Sequence, residues 1–567
     1  MTSHVPSAKE NVMRITDKVN LFYPDATKQK YAYDRRMALS QYPCSYIDDL
    51  EASRVALMLL PQNPDRVLSL MLELNDDIDT LNYRLDCLED FLRQPRLSDS
   101  FRKIIRRLSD NNKQLESGET APNSFMELKM RMDELEVYLN CIDEINFFYD
   151  KNRHTIKSQA MTNLFGFFES LPKTTEFTAV KTNLSELREI FSKTIKSVKI
   201  GINFTHDMTP DVCGILEVSS KKIYPKGNVL DRLIFKTYQG FEQFEGEEHI
   251  NSATRHQPSD MDTVLFKELD KYTKDFTRRI STAIKSYREL FFSDIYELEH
   301  QLDFYDGVVN FIGFVRSRGL EMTRPKLMPK SERKLSLTNA FDLCFFRQAV
   351  SSDYKKMGDE LIVRNDLDMQ DEQFYLITGA NNGGKTTFAR GVGLCQLLAQ
   401  IGVYVPAESA EISPVDYIFT HFPKEEEIGI DSSRFTTEIK QLRTICDLIT
   451  PDSMVIMNES IQSTTPDECL EIAYRHLEIL SAVGVRGMYV THLNGLYDKA
   501  LEINKKDYPS KIGSLVSAVD EATGKRLYKM EKKPPVLGSM AYTVYDNFGA
   551  KLDDVMRRLG KFERCPQ

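Results

Sequence analysis

The stretch that decides the fold of this 567-residue chain is Phe374-Tyr-Leu-Ile-Thr-Gly-Ala-Asn-Asn-Gly-Gly-Lys-Thr-Thr387. Its first five residues are aromatic, aliphatic or β-branched, which is typical of a strand, and an apolar pattern of helical period follows Thr387. Between them lies the spacing G-x-x-x-x-G-K-T, in which backbone N–H groups wrap phosphates. The stretch therefore predicts a strand, a phosphate-binding loop and a helix, as in proteins that bind a nucleoside triphosphate.

The residues of this loop are the first candidate ligands. Side chains at Gly379 or Gly384 would block the approach of the phosphates. Lys385 is expected to bind the terminal phosphates, and the Thr386 hydroxyl is expected to be a ligand of Mg²⁺. The predicted nucleotide contacts are Gly379, Ala380, Asn381, Asn382, Gly383, Gly384, Lys385, Thr386 and Thr387.

Length and composition indicate the class of protein and the cellular compartment. A chain of this length holds two to four domains, and 41% hydrophobic with 28% charged residues is typical of a folded protein. No run of eighteen apolar residues and no signal pattern occurs, and the nine cysteines include no C-x-x-C pair. We therefore expect a cytoplasmic protein, associated with the nucleoid if it is bacterial, with no membrane contact. The net charge of −10 is unfavourable for a nucleic-acid partner.

The pattern of the sequence predicts three parts. Residues 1–75 are an N-terminal helical segment, 76–325 are mainly helical, and 326–567 carry the glycine loop. A β-hairpin with a loop insertion is predicted at about 197–258, where the apolar period changes to two.

Two features of the helical part stand out. One helical pattern runs from Met261 to about Arg318 and needs a long partner helix, predicted to be the antiparallel segment near 125–195. The basic run Arg102-Lys-Ile-Ile-Arg-Arg107 is either a strip that contacts phosphates or charge on an exposed helix face.

The residues around the loop resemble those of the MutS family, whose loop reads T-G-P-N-x-G-G-K-S-T. The similarity continues through Gln400-Ile-Gly-Val-Tyr-Val-Pro-Ala-Glu-Ser-Ala410 and Asp416-Tyr-Ile-Phe-Thr420. It implies a multidomain protein: an all-α core and lever at 76–325, with long antiparallel helices plus a small β element, followed at 326–567 by an α/β P-loop ATPase domain of the ABC/MutS type. ATP and Mg²⁺ are the cofactors that the resemblance implies, and Asn365 lies in the family segment that lines the nucleotide pocket.

Met454-Val-Ile-Met-Asn-Glu459 is an apolar strand that ends in a polar pair, as in a Walker B strand. Glu459 would be the general base or would orient the attacking water. Asn458 stands where the family has Asp, so a metal site made by Thr386 and Asn458 lacks a carboxylate charge. The sequence therefore predicts an ATPase whose turnover is slow.

Two further motifs of the family complete the predicted site. Ser432-Ser-Arg-Phe-Thr-Thr-Glu438 is similar to S-T-F-x-x-E, so Ser433 would reach the γ-phosphate held by a second copy in a homodimer. The alternative is that Ser433 only caps a helix. His492 ends an apolar strand at Thr491-His492 and would sense the γ-phosphate or hold the water; structural packing is the alternative.

The resemblance implies a DNA-binding ATPase of DNA repair or recombination, in which ATP gates a clamp. The DNA would be recognised by its structure or non-specifically, because the mismatch-reading domain of the family is not expected here. Two alternatives stay open: an ATP-gated scaffold that binds RNA or proteins, which the acidic charge favours, and a nucleotide-binding switch with little hydrolysis, which Asn458 favours.

Overall fold

A computed structural model describes residues 15, 18–117, 124–194, 196–204, 206–208, 210–219, 221, 295–351, 362–423, 434–493, 495–520, 525–535 and 554–558. The chain divides into two compact units. Their residues are Met1–Asn20, Arg96–Lys157 and Met161–Leu302 for unit 1, and Leu21–Pro95, Ser158–Ala160 and Asp303–Gln567 for unit 2.

Among the described residues, helices and strands alternate from residue 326 onwards, whereas the part before it is helical except for one pair of strands. The helices, in chain order, are α1 (Ala26–Leu39), α2 (Ser45–Asp49), α3 (Ala52–Leu59), α4 (Pro64–Met71), α5 (Ile78–Arg93), α6 (Pro95–Ser117), α7 (Ser124–Asn152), α8 (Gln159–Ser170), α9 (Thr175–Thr194), α10 (Ile295–Arg316), α11 (Leu343–Ser351), α12 (Lys385–Ile401), α13 (Arg434–Leu448), α14 (Pro466–Val483) and α15 (Leu496–Asn504). The strands are β1 (Ser197–Phe204), β2 (Pro210–Ser219), β3 (Lys326–Leu327), β4 (Leu335–Ala340), β5 (Asn365–Asp368), β6 (Phe374–Thr378), β7 (Ser409–Ile412), β8 (Ile418–His421), β9 (Met454–Asn458), β10 (Arg486–Val490), β11 (Ile512–Val519) and β12 (Arg526–Lys532).

Unit 2 is built on a six-stranded sheet with the order β12-β11-β6-β10-β9-β8. Neighbouring strands are parallel except β12, which runs antiparallel to β11. The middle strands are almost wholly buried, which explains their continuous apolar sequences. Because parallel strands end at one edge, this sheet brings the chain after β6, β9 and β10 to the same place.

A second sheet of unit 2 has the order β3-β7-β4-β5. Its strand β5 ends just before β6 in sequence, and Asn365 of β5 bonds the backbone of β12. The second sheet is thus fastened to the edge of the six-stranded one.

The first helices of the chain belong to unit 2. Asp25 caps α1 by accepting from Thr27 N at 2.8 Å, and Asp77 caps α5 by accepting from Thr80 N at 3.0 Å. The Arg35 guanidinium donates to the carbonyl of Asp416, at 2.6 Å, beside strand β8. The N-terminal segment therefore packs on the sheet that follows far later in the sequence.

Helix α5 is joined to the end of α12 by a buried arginine. Arg84 is fully buried and donates to Glu73 Oε2 at 3.0 Å, to the carbonyl of Phe22 at 2.9 Å and to that of Ile401 at 3.4 Å. The Glu73 carboxylate also accepts from Tyr23. A buried cation with this many partners fixes α5 against the C-terminal end of α12.

Unit 1 contains α7, α9 and most of α6 and α8, together with the pair β1 and β2. Aromatic rings pack in its core. The ring centroid of Phe165 lies 4.9 Å from that of Phe101 and 4.8 Å from that of Tyr149, on which it stacks. Of the basic run, Arg106 donates to Glu299 Oε1 at 3.1 Å and Arg107 to Glu144 Oε1 at 2.9 Å. These two arginines are therefore neutralised within the chain.

The helices and the strand pair of the first half agree with the sequence pattern where they are described. The helical period between 76 and 195 and the antiparallel hairpin near 197 are confirmed. Of the helix predicted from Met261 to about Arg318, α10 lies in the described residues; residues 261–294 and the insertion at 222–258 lie outside them. Among the described residues, no helix combines the length and the apolar character needed to cross a bilayer.

The compact units group residues Leu21–Pro95 with Asp303–Gln567, across the boundaries 75/76 and 325/326 of the three predicted parts, which stay predictions. Helix α2 packs on β8, and α4 and α5 pack on α12. Periodicity cannot reveal this grouping, since the contacts join residues more than 300 positions apart.

Candidate functional site

The glycine loop, residues Gly379–Gly384, connects β6 to α12. Gly379 has φ +121° and Gly384 has φ +83°, a region that L side chains rarely adopt. A Cβ at Gly379 would also lie 2.9 Å from the Ser517 Cβ of β11. The Ser517 hydroxyl donates to the carbonyl of Gly383 at 2.7 Å, so β11 holds the loop from behind.

Helix α12 starts at Lys385 directly after this loop. Its N-cap residue, Gly384, has no side chain to accept from the first-turn N–H groups, and no side-chain cap is found among the described residues. An uncapped helix N-terminus carries a partial positive charge and exposed donors. This end of α12 is therefore suited to an anion.

Lys385 is buried, with 5% of its surface exposed, and donates to the carbonyls of Gly379 at 3.1 Å and Ala380 at 2.9 Å. No ion pair of this lysine occurs within the described residues. Burial lowers the pKa of Lys385; the charge of Glu459 opposes this, and that of Arg526 adds to it. A desolvated ammonium group that makes no ion pair favours an anionic ligand.

Thr386 follows the lysine and faces the end of β9. Its hydroxyl donates to Asn458 Oδ1 at 2.7 Å. Both predicted metal ligands are thus adjacent, and both offer neutral oxygen atoms.

Glu459 and His492 stand at the ends of β9 and β10. Glu459 has φ +47°, in the left-handed region, and its backbone N–H donates to the carbonyl of Val490 at 2.8 Å. Its Oε1 lies 3.1 Å from His492 Nε2. Burial and then the charge of Lys385 lower the pKa of His492, while Glu459 raises it. The neutral imidazole can donate from Nε2 and so orient the carboxylate.

These residues surround a cavity of about 820 Å³, which we call the polar cavity. It is lined by Asn381, Asn382, Gly383, Gly384, Lys385, Thr386, Thr387, Glu459, Ile461, Gln462, Thr464, Pro466, Cys469, His492 and Leu493. Most of the predicted site residues are thus brought together. Gln462 and Thr464 were not predicted, because nothing in the apolar pattern distinguishes them from other loop residues.

A smaller cavity of about 300 Å³, which we call the apolar cavity, adjoins the glycine loop. It is lined by Ala340, Phe341, Asp342, Phe345, Ile362, Val363, Asn365, Asn382, Gly384, Thr387, Phe388, Gly391, Val392 and Tyr528. The Asp342 carboxylate is already engaged, because it accepts from Arg390 Nε at 2.6 Å and from Phe345 N at 2.6 Å. The cavity therefore offers a largely apolar surface beside the glycine loop.

Asn365 lines the apolar cavity, but its amide is bound to β12. Its Nδ2 donates to the carbonyl of Tyr528 at 3.1 Å, and its Oδ1 accepts from Met530 N at 2.8 Å. Asn365 thus fixes the position of Tyr528, whose ring lies over Gly384. Tyr528, which has φ +56°, was not predicted as a site residue, and neither was Arg526.

Ser433 lies outside the described residues, so its predicted contact with a second copy stays a prediction. Of the predicted residues that are described, Lys385, Thr386, Asn458, Glu459 and His492 meet at one edge of the sheet. Chemically, this arrangement combines an anion site, two oxygen donors for a cation, and a carboxylate fixed by an imidazole.

Two family models match the chain. MutS domain V matches residues 375–524, which carry the glycine loop and the whole lining of the polar cavity, and the MutS2 N-terminal domain matches residues 76–317.

Curated relatives point to the same family. The DNA mismatch repair protein MutS of Acetivibrio thermocellus is 37% identical over 145 residues, 25% of this chain and 17% of that protein. The protein of the same name from Leptospira interrogans is 33% identical over 186 residues, 31% of this chain and 22% of that protein. The one from Orientia tsutsugamushi is 34% identical over 176 residues, 30% of this chain and 20% of that protein. The matches thus span about a fifth of each relative's length, and together with the two family models they show that the chain belongs to the MutS family.

Proposed function

We propose that this protein binds ATP with Mg²⁺ in the polar cavity, hydrolyses it slowly, and uses the nucleotide to control DNA binding in DNA repair. The observation that carries the nucleotide part is Lys385, a buried cation at the uncapped start of α12 that makes no ion pair within the described residues. An ion pair with a phosphate would supply the charge that the fold leaves out.

The two cavities match the two parts of the ligand. The phosphates would lie at the glycine loop, between Lys385 and the N-terminus of α12. The base would enter the apolar cavity, where Phe341 and Tyr528 offer aromatic surfaces. Asn382, Gly384 and Thr387 line both cavities, so one molecule can reach both.

Two neighbouring oxygen atoms support the proposal that Mg²⁺ binds here. Thr386 and Asn458 place two oxygen atoms 2.7 Å apart beside the glycine loop, and oxygen is what this cation prefers. Bound Mg²⁺ would neutralise charge on the phosphates. The donors lack the negative charge of a carboxylate, which favours weak metal binding and slow turnover.

Glu459 would accept a proton from the attacking water or orient it. His492 lies 3.1 Å from the carboxylate, and burial keeps the imidazole neutral near pH 7 because its pKa is lowered. His492 would then hold the carboxylate through Nε2–H and leave the second oxygen for the water.

The proposals of DNA binding and of dimerisation rest on the similarity to the MutS family. The relatives are named DNA mismatch repair proteins, and this chain matches only about a fifth of their length. We propose a homodimer in which Ser433 of each copy completes the site of the other, and a clamp that closes on DNA. The neutralised Arg106 and Arg107 do not contribute free charge to that interaction.

Steady-state release of phosphate tests the nucleotide part. We expect Glu459→Gln to lower the rate by about 10²–10⁴-fold, as for loss of a general base, with ATP binding retained. Lys385→Ala should lower both binding and the rate. A rate unaffected by either substitution would exclude this site.

Gel shifts over a series of salt concentrations test the DNA part, with duplex, branched and single-stranded DNA and with RNA. We expect binding to DNA that depends on ATP and weakens as salt increases. Absence of any DNA binding at low salt would contradict it, and binding to RNA alone would favour the scaffold alternative.

A second candidate is a nucleotide-binding switch without turnover, which the contact of Thr386 with Asn458 specifically favours. ATP binding that depends on Lys385, with no phosphate release above the Glu459→Gln level, would establish it.

A further inference from the structure

The segment from Glu459 to Ser463, which follows β9, is strained. Glu459 has φ +47° and Ile461 has φ +63°, although neither is a glycine. Left-handed backbone costs about 1 kcal/mol or more for each such residue, and it persists only where the surroundings hold it. Something must therefore fix this segment.

The first group that holds it is His421, at the end of β8. The Ser460 hydroxyl donates to the carbonyl of His421 at 3.1 Å, and the same Oγ lies 2.6 Å from His421 Nδ1. Because a hydroxyl has one proton, Nδ1 must donate and therefore carries the hydrogen. Both residues are buried, and Tyr489 of β10 donates to the carbonyl of Ser460 at 2.5 Å.

The second group is Glu438, in the second turn of α13. Its Oε2 accepts from the Ser463 hydroxyl at 2.7 Å, and the side chain is buried. Among the described residues its other oxygen has no hydrogen-bond partner. Burying a carboxylate that makes one hydrogen bond lowers stability. A contribution to packing therefore does not account for Glu438 at this position.

The two contacts lie on either side of Ile461, which is fully buried. Ser460 and Ser463 are thus anchored to two different elements, β8 and α13, and the backbone between them cannot relax from the left-handed region. Glu459 is held on its other side by the bond of its N–H to Val490. Its carboxylate is thereby directed at His492 and at the polar cavity.

We propose that His421 and Glu438 are positioning residues for Glu459: through Ser460 and Ser463 they hold the strained segment that presents the Glu459 carboxylate to the reacting water. This inference rests on the proposed hydrolysis. It assigns a task in that reaction to a buried cluster, His421, Glu438, Ser460 and Ser463, that lines neither cavity, and it connects α13 to the loop that carries Glu459.

The test is a set of double-mutant cycles read by phosphate release and by ATP affinity. We expect Glu438→Ala and His421→Leu to lower kcat about 10–100-fold, with the Kd for ATP changed less than threefold. Glu438→Gln should keep most of the kcat, because its amide oxygen can still accept from Ser463. In a Glu459→Gln background, Glu438→Ala should cause no further loss, because the effect acts through Glu459.

Ser463→Ala provides the same test if Glu438→Ala does not fold. Ser481→Ala is the matched control, because it removes another buried serine hydrogen bond, to the carbonyl of Ser510, away from both cavities. Its kcat should stay within twofold of the wild type.

Equal losses in both Glu459 backgrounds, or an unchanged kcat for both Glu438→Ala and Ser463→Ala, would overturn this inference alone. Failure of the wild-type protein to hydrolyse ATP would instead overturn the proposed function.

Discussion

A buried cation lies at each end of helix α12, and the two cations are held in opposite ways. Arg84 packs at the C-terminal end with the Glu73 carboxylate at 3.0 Å. Lys385 starts the helix and donates to the carbonyls of Gly379 and Ala380, with no ion pair in the described residues. Removing one member of a buried ion pair leaves the other charge unpaired, at a large cost in stability, whereas a buried cation that makes no ion pair can bind an anionic ligand.

The largest effect on stability is expected at the paired end. Arg84→Met should lower the free energy of unfolding by about 3–5 kcal/mol, because it leaves the Glu73 carboxylate buried and unpaired. Urea unfolding of the whole chain measures this. The double variant Arg84→Met with Glu73→Leu should recover part of the loss, and a loss below about 1 kcal/mol for Arg84→Met would contradict the structural role.

A buried histidine on α14 makes the stability of the protein depend on pH. Burial lowers the pKa of His476 from 6.5 to about 4, with a smaller contribution from His421. The folded state therefore favours the neutral imidazole, and the stability that this contributes is present above pH 6.5 and lost as the pH falls towards 4. The loss should approach roughly 3 kcal/mol at pH 4.

Urea unfolding at pH 7, 5.5 and 4 of the wild type and of His476→Leu checks this prediction. The variant should lose less stability between pH 7 and pH 4 than the wild type does. Equal losses in both proteins would show that His476 does not carry the acid sensitivity.

Asn458→Asp changes the proposed metal site at the N-terminal end of α12, because it places a negative charge beside Thr386. We expect the Mg²⁺ concentration for half-maximal phosphate release to fall roughly fivefold, as expected for about 1 kcal/mol from one added charge near solvent. Titration of Mg²⁺ at saturating ATP measures it. An unchanged half-maximal concentration would show that position 458 does not face the metal.

The smallest effect is expected for the stability of Lys385→Met, which removes a cation that makes no ion pair within the described residues. The free energy of unfolding without nucleotide should change by less than about 1 kcal/mol. Lys511→Met is the matched control, because Lys511 also donates to two carbonyls, those of Asn504 and Lys506, away from both cavities. A loss as large as that of Arg84→Met would contradict the contrast between the two ends.

The sequence was sufficient for features that depend on local pattern and on strand direction. The glycine loop, its strand and its helix follow from spacing alone. Asn458, Glu459 and His492 lie near Lys385 because they end parallel strands of the same sheet.

Features that depend on distant contacts were not predictable. Arg35 reaches Asp416, and Asn365 binds β12, although these pairs are separated by 381 and 165 positions. The left-handed backbone at Glu459 also gives no signal in sequence, since neighbouring groups impose it.

The central claim is that Lys385, which makes no ion pair within the described residues, binds the phosphates of ATP. Equilibrium titration of ATP in the presence of Mg²⁺, with the wild type, Lys385→Met and Lys511→Met side by side, tests it most directly. We predict that Lys385→Met weakens ATP binding about 30-fold or more, as expected when hydrogen bonds to a charged group worth about 2 kcal/mol are lost, and that Lys511→Met binds as the wild type does. Equal affinities in all three proteins would contradict the account.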